Sequence, residues 1–207
     1  MNKPKIILIG AGGHAHSCID VIEQQDQFSI GGLVGIQEEM HSRHLGYSVI
    51  ATDGDLELLA KEYQFAFITV GQILSPNNRI RLYQRASELG FLFPIIIAPT
   101  SHVSSHAIVG KGSIVMHGAI VNAAAKVGEN CIINTRALIE HDATVEDHCH
   151  ISTGAILNGR VNVGTGSFIG SGCVIKDGVS IGKGCVMGMG LSVRSNQPVS
   201  VQFVGEK

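Results

Sequence analysis

Charge is what this sequence has least of. Only 15% of its 207 residues are Asp, Glu, Lys or Arg, well short of the ~25% usual in soluble domains. Combined with 44% hydrophobic residues, that scarcity excludes a generically disordered chain, which needs the opposite balance. The charges nearly cancel: 15 basic against 17 acidic residues, a net charge of −2 and a pI of about 6.5. No basic excess is present to neutralise a phosphate backbone, so nucleic acid is not an expected partner. Cysteine is sparse and odd in number, five in all, which argues against a disulfide framework in a chain this long. The first apolar run, Ile6-Ile7-Leu8-Ile9, has four residues, too short for a signal peptide or a membrane span. The expectation is a cytoplasmic protein without a membrane partner, long enough for one large domain or two small ones.

Glycine breaks the pattern of scarcity, with 26 residues, roughly double the ~7% average. An internal repeat accounts for it. From Ile97 every sixth residue is aliphatic, through Val103, Val109, Val115, Val121, Val127, Ile133, Ile139, Val145 and Ile151. The series runs on through Leu157, Val163, Ile169, Ile175, Ile181, Met187 and Val193 to Val199. Two places before each member a small residue usually stands, such as Ala119, Cys131, Ala137, Cys149 or Cys185, and glycine often follows, as at Gly110, Gly128, Gly164, Gly170, Gly182 and Gly188. Three such hexapeptides make a triangular coil of about 18 residues, stacked on the next at a strand spacing of ~4.8 Å. The aliphatic side chain fills the interior, the small residue fits beneath the corner, and glycine supplies the backbone angles of the turn. Residues 97–199 make nearly six coils, a prism roughly 27 Å tall, with no slip of phase for a loop. Cys131, Cys149, Cys173 and Cys185 all fall on the small inward position. They read as packing residues, and His148-Cys149-His150 is not read as a metal site. No metal is expected.

The first half has a different grammar. Lys5–Ile9 reads as a buried strand, Gly10-Ala11-Gly12-Gly13-His14-Ala15 as a turn, and the segment to about Gln25 as an amphipathic helix. Phe65–Val70 reads as a second buried strand, Ser75 or Asn77 as the cap of a helix ending at Gly90, and Phe91–Ile97 as a last strand interrupted by Pro94. The order predicts a small parallel α/β, Rossmann-like domain over 1–96, joined near Ala98-Pro99 to a left-handed parallel β-helix over 97–207. The glycine turn fits G-x-G-x-x-A, whose backbone amides at a helix N-terminus hold phosphate. A dinucleotide site also wants a carboxylate at the end of the next strand, and Gly32-Leu33-Val34-Gly35-Ile36 offers none. NAD is therefore disfavoured; a nucleotide-sugar pyrophosphate and a purely structural turn remain.

The glycine turn, the run Asn134-Thr135-Arg136-Ala137-Leu138-Ile139-Glu140-His141-Asp142 and the following His150-Ile151-Ser152 occur together in one chain. In this the sequence resembles the bacterial sugar acetyltransferases of the NeuD/PglD type, among them sialic-acid O-acetyltransferases and nucleotide-amino-sugar N-acetyltransferases. The resemblance implies a homotrimer with acetyl-CoA bound between neighbouring β-helices and a small-molecule sugar or nucleotide-sugar acceptor. It implies His141 as general base with Asp142 raising its basicity. It also implies His150 at a position touching acetyl-CoA or the sugar, the Gly159 backbone as oxyanion donor, and Ser171 and Met189 at coenzyme-contacting positions. Gly12, Gly13, His14 and Gly71 correspond to substrate-binding positions, and Asn134 is a further polar candidate near the base.

The residues themselves agree with the leading role. His141 stands two places after interior Ile139 and so belongs at a coil's outer face, and Asp142 beside it can fix the imidazole tautomer. Acyl transfer from a thioester needs such a base and a donor for the developing oxyanion. No serine or cysteine stands in a nucleophile-plus-base arrangement, so transfer is expected to be direct. Arg136 is a cation suited to a carboxylate; on this ground O-acetylation of a sialic-acid-like nonulosonate is the first expectation, and N-acetylation of a UDP-4-amino-sugar the alternative. Gly35 departs from relatives acting on UDP-sugars, which carry an acid there. More distant alternatives are a γ-carbonic-anhydrase-like zinc enzyme and a catalytically silent β-helix used for assembly.

Overall fold

The structure is a computed structural model that describes residues 3–203; residues 1–2 and 204–207, the outer ends of the two expected divisions, lie outside the described residues. The chain forms two compact units, one comprising the chain up to Gly71 with Asn77–Ile96, the other Gln72–Pro76 with the chain from Ile97 onward.

The first unit runs β1 (Lys5–Ile9), α1 (Gly13–Gln25), β2 (Ser29–Gly35), β3 (Arg43–His44), β4 (Tyr47–Thr52), α2 (Leu56–Leu59), β5 (Phe65–Ile68) and α3 (Asn77–Glu88). Its sheet has the order β3-β4-β2-β1-β5, parallel throughout except for the β3–β4 hairpin. Ile6, Ile7, Leu8 and Ile9 are fully buried, as a continuous apolar run demands when both faces of a parallel sheet are covered. α1 buries Ala15, Cys18, Ile19 and Ile22 along one stripe at helical spacing. In α3 the stripe includes Arg79, whose Nη1 donates to the Ile68 and Val70 carbonyls at 2.7 and 2.9 Å and so satisfies the end of β5. One expectation fails here. Phe91–Ile97 adds no strand to this sheet: Leu92 makes a single bridge to Phe65, and Pro94, lacking an N–H, breaks the run before Ile96–Ile97 opens the first β-helix strand. β4 and α2 were not foreseen, because Tyr47–Thr52 mixes polar and apolar residues without a clean period.

The second unit is a left-handed parallel β-helix. Its two-residue strands form three parallel sheets of five, six and seven strands, and partners lie 18 residues apart, as in Ile114↔Ile132↔His150↔Phe168↔Val186, until the last pair, Val186↔Gln202, which is 16 apart. From Val115 to Val193 the sixth-residue series lines the interior, with Val115, Val121, Ile133, Ile139, Ile151, Leu157 and Ile169 wholly buried. Its last member, Val199, expected inside, is 64% exposed, because the final coil closes in 16 residues and slips the phase.

The small position does more than fill space. Ser113 Oγ donates to Gly128 O at 2.7 Å, Cys131 Sγ to Glu146 O at 3.1 Å, Cys149 Sγ to Gly164 O at 3.3 Å, and Ser167 Oγ to Gly182 O at 2.9 Å. A ladder of serine and cysteine thus ties successive coils through one carbonyl each. Burial pushes two of the inward thiols up, Cys173 to about 11 and Cys149 well above its ordinary value, so neither supplies a thiolate nucleophile near neutral pH.

The reason for the glycines after the aliphatic positions differs from the one expected. The left-handed corner residues come later in each hexapeptide, at Gly118, Ala124, Asn130, Arg136, Asp142, His148, Gly154 and onward. Gly110, Gly164 and Gly170 instead lie against the next coil: a Cβ on any of them would fall 2.6 Å from backbone atoms stacked on it. Close approach, not a special φ, excludes a side chain there.

Candidate active site

The 18-residue register stacks corner residues into columns. One column places His141, Gly159 and Asp177 on successive coils. The His141 side chain is 57% exposed and its Nδ1 lies 2.8 Å from Asp142 Oδ2. A carboxylate only accepts, so Nδ1 carries the hydrogen and Nε2 keeps its lone pair for a proton. The bond to Asp142 raises the imidazole above its ordinary pKa; desolvation opposes it, and the charges of Asp142, Glu140 and Asp177 add to it. Asp142 reaches the ring because it occupies the left-handed corner, at φ 59°. Glu140 is held by Asn122 Nδ2 at 2.9 Å and takes the His141 N–H at 3.3 Å, which fixes the base's backbone.

Gly159 makes room for the imidazole. A Cβ at 159 would lie 2.8 Å from His141 Cε1 and 2.9 Å from Nε2. Its carbonyl accepts from Gly178 N at 2.9 Å, while its N–H has no acceptor among the described residues. A free amide beside a basic ring nitrogen is a combination suited to acyl transfer, one group for the proton and one for the oxyanion. Arg160 bonds Asp177 one coil on, leaving Asp142 to His141.

Asn134, Arg136, Ser171 and Met189 belong to a different corner of the prism and do not meet His141 within the chain. Asn134 Nδ2 instead donates to His150 Nε2 at 3.1 Å, and His150 Nδ1 donates to the Gln72 carbonyl at 2.7 Å. His150 is only 7% exposed, packed edge-on against Phe168. Both of its ring nitrogens are engaged inside the chain, so the ring is held and its outward reach is small. Ser171 Oγ pairs with Ser152 Oγ at 2.9 Å, and Met189 is 81% exposed. The side chains of the His148-Cys149-His150 run diverge: Cys149 faces the interior, His148 meets Asn130, and His150 meets Asn134. Among the described residues no group of three or more His, Cys, Asp or Glu is placed to hold a metal ion, and no helix is long and apolar enough to cross a membrane.

The α/β unit contains a cavity of about 320 Å³ at the C-terminal ends of its strands, which brings Gly12, Gly13, His14 and Gly71 together. Gly10, at φ +122°, is forced: a Cβ there would fall 2.6 Å from Val70. Its carbonyl takes the Thr69 hydroxyl at 2.6 Å, locking the turn to the end of β5. Gly12 and Gly13 have open space where a side chain would stand, and α1 begins there with no side-chain cap and no acid in its first turn. The first residues of that helix, Gly13 and His14, line the cavity, and a helix N-terminus is a position whose amides suit an anion. Sequence reasoning missed Glu39, Asp53 and Asn78, which also line it. Glu39 comes from a single 3₁₀ turn after β2, beyond the strand end where an acid was sought.

Against known proteins, the PglD N-terminal domain model matches residues 5–86 and a hexapeptide repeat of succinyl-transferase matches residues 160–195. No curated protein matches the chain. Among solved structures, a histidine-to-asparagine variant of perosamine N-acetyltransferase from Caulobacter crescentus, in complex with CoA and GDP-perosamine, is similar. It is 30% identical, with 96% of this chain and 92% of that one covered and a TM-score of 0.90. The acetyltransferase domain of PglB from Neisseria gonorrhoeae, in complex with acetyl coenzyme A, is also 30% identical, covering 97% and 96% with a TM-score of 0.89. WeeI from Acinetobacter baumannii shares the fold at 19% identity, 97% coverage of both chains and a TM-score of 0.75. With identity of this level over nearly its whole length, and with a paired imidazole and free amide at a β-helix corner, the chain belongs to the PglD-type sugar acetyltransferases of the hexapeptide-repeat superfamily.

Proposed function

We propose that this enzyme transfers the acetyl group of acetyl-CoA to the amino group of a nucleotide-linked amino sugar. The observation that carries the reading is the column of His141, with Nε2 free and Nδ1 on Asp142, beside the Gly159 N–H. The acceptor nitrogen attacks the thioester carbonyl carbon while Nε2 takes its proton. The oxyanion so formed is stabilised by the Gly159 amide. Collapse breaks the C–S bond, and the thiolate leaves with the proton returned from His141, giving an acetamido sugar and CoA. Nothing covalent forms on the protein, in keeping with the burial of all five cysteines.

The acceptor is the point at which the first expectation is set aside. O-acetylation of a nonulosonate leaned on Arg136, whereas the similar structure bound to a sugar nucleotide is an N-acetyltransferase with GDP-perosamine. The α/β cavity, with a helix N-terminus bare of acids, suits the diphosphate of such a nucleotide-linked sugar. We assign 1–96 to nucleotide-sugar binding and 97–207 to acyl transfer, in a homotrimer. The trimer is supported by the separation of the expected coenzyme positions Ser171 and Met189 from His141: a site between neighbouring prisms can use two different corners, one from each subunit. A thiol-release assay with acetyl-CoA tests the reading against GDP- and UDP-4-amino-sugars and against CMP-linked and free nonulosonates. Turnover confined to the amino sugars is expected; turnover confined to the nonulosonates would overturn it.

A further inference from the structure

We propose that Glu39 reads the ribose diol of a ribonucleoside diphosphate bound in the α/β cavity, taking over a role that β2 itself leaves vacant. The inference rests on the reading of the acceptor as nucleotide-linked and adds to it the residue that recognises the sugar of the nucleotide.

The argument starts from the geometry of a parallel α/β sheet. When a diphosphate sits on the first helix N-terminus, the attached ribose falls beside the C-terminal end of the neighbouring strand, where a carboxylate can accept from its hydroxyls. In this chain that strand is β2, which ends in Val34-Gly35 without an acid. The structure supplies one from outside the strand. Glu39 Oε2 accepts the Ile36 N–H at 3.1 Å, folding the carboxylate back over the strand end. It lies so close to Gly35 that a Cβ on residue 35 would stand 2.7 Å from Oε2. Gly35 and Glu39 therefore act as a pair: the glycine vacates the place at the strand end and the glutamate fills it.

The state of the carboxylate fits a ligand role. Glu39 is half-buried, lines the same cavity as Gly12 and Gly13, and makes no ion pair among the described residues. Asp53, the other acid of the cavity, is occupied: its Oδ2 takes Arg81 at 3.0 Å, and Arg81 also holds Asn78 Oδ1 at 2.9 Å. One Glu39 oxygen is anchored by a single backbone amide, which leaves the carboxylate with acceptor capacity for a vicinal pair of hydroxyls. Ile36, 58% exposed at the rim, adds an apolar surface beside it for the flat face of a base.

The test measures binding alone, without acetyl-CoA. The probes are GDP and UDP with their 2′-deoxy and 3′-deoxy forms, titrated calorimetrically into the wild type and into Glu39→Gln. Glutamine keeps an oxygen for the Ile36 N–H, so a purely structural turn would be preserved. The wild type is expected to bind the ribonucleotides about tenfold or more tightly than the deoxy forms, as for a lost hydrogen bond to a charged group. Glu39→Gln should lower that ratio toward one while the deoxy affinities change little. Undiminished ribose discrimination in Glu39→Gln would overturn the assignment of Glu39 and leave the nucleotide reading standing. If the wild type binds none of the nucleotides, both fall together.

Discussion

The two halves of this chain place their chemistry by opposite rules. In the β-helix the fold is a strict repetition, and the candidate base stands out because its surroundings depart from that repetition. His141, Gly159 and Asp177 are equivalent in register yet chemically different, and each difference does something: one is the imidazole, one clears space for it, and one pairs with Arg160. In the α/β unit there is no repeat to depart from. Its cavity arises from topology, where parallel strands end together and a helix begins. A regular scaffold therefore marks its site by exception, and an irregular one by position.

The comparison breaks most visibly in the β-helix interior. Ile151→Asp places an unpaired carboxylate where the native side chain has no exposure. A cost of several kcal/mol is expected, enough to remove the cooperative thermal transition of the unit. A transition near that of the wild type would show that the interior series does not hold the coils together.

At the corner the same scaffold should tolerate change and lose only chemistry. Gly159→Ala puts a methyl within 3 Å of the His141 ring at a backbone conformation outside the left-handed region. The imidazole must rotate away, and kcat should fall roughly 10–100-fold for a misplaced base, with the melting temperature little changed. Full activity would mean that the imidazole works from another position.

Asp142→Asn sharpens the electrostatic part. The Asp142 bond raises the His141 pKa, and a base acts only when deprotonated, so the rising acidic limb of the kcat–pH profile reflects that pKa. Removing the carboxylate lowers it: the limb should move to lower pH while the plateau drops by about tenfold through loss of orientation and basicity. A limb that stays in place would show that Asp142 does not govern the base.

The smallest effect belongs to the ladder. Cys149→Ala removes the donor to Gly164 O and should cost about 1 kcal/mol in denaturant unfolding, partly restored by Cys149→Ser, with kcat unaffected. A loss of turnover in Cys149→Ala at unchanged stability would give this thiol a chemical role that its burial denies.

What was legible in the sequence follows the same division. The six-residue period exposes the β-helix because each aliphatic position from Val115 to Val193 has one fate, the interior, and it also marks His141 as outward. Asp142 was legible because it adjoins the base. The reason for Gly110 and Gly164 was not, since an approach between coils 18 residues apart is invisible in any local pattern. Nor was the burial of His150, which depends on Gln72 arriving from far back along the chain. In the α/β half, the glycine turn pointed to the cavity, but Glu39 escaped notice because its carboxylate returns to the strand end through a turn that has no periodic signature. The corner that Arg136 shares with Ser171 and Met189 was not legible either, since nearness to His141 in sequence is not nearness within one chain when a strand lies between two corners.

The central claim is that His141 is the general base for transfer from acetyl-CoA to a nucleotide-linked amino sugar. The most direct measurement is steady-state kinetics of His141→Ala beside the wild type on the acceptor identified by thiol release, with acetyl-CoA varied, from neutral to alkaline pH. A fall in kcat of ~10²–10⁴ at neutral pH is predicted, with the KM for acetyl-CoA nearly unchanged and the deficit shrinking as free amine accumulates at high pH. Wild-type turnover by His141→Ala at neutral pH would contradict the account.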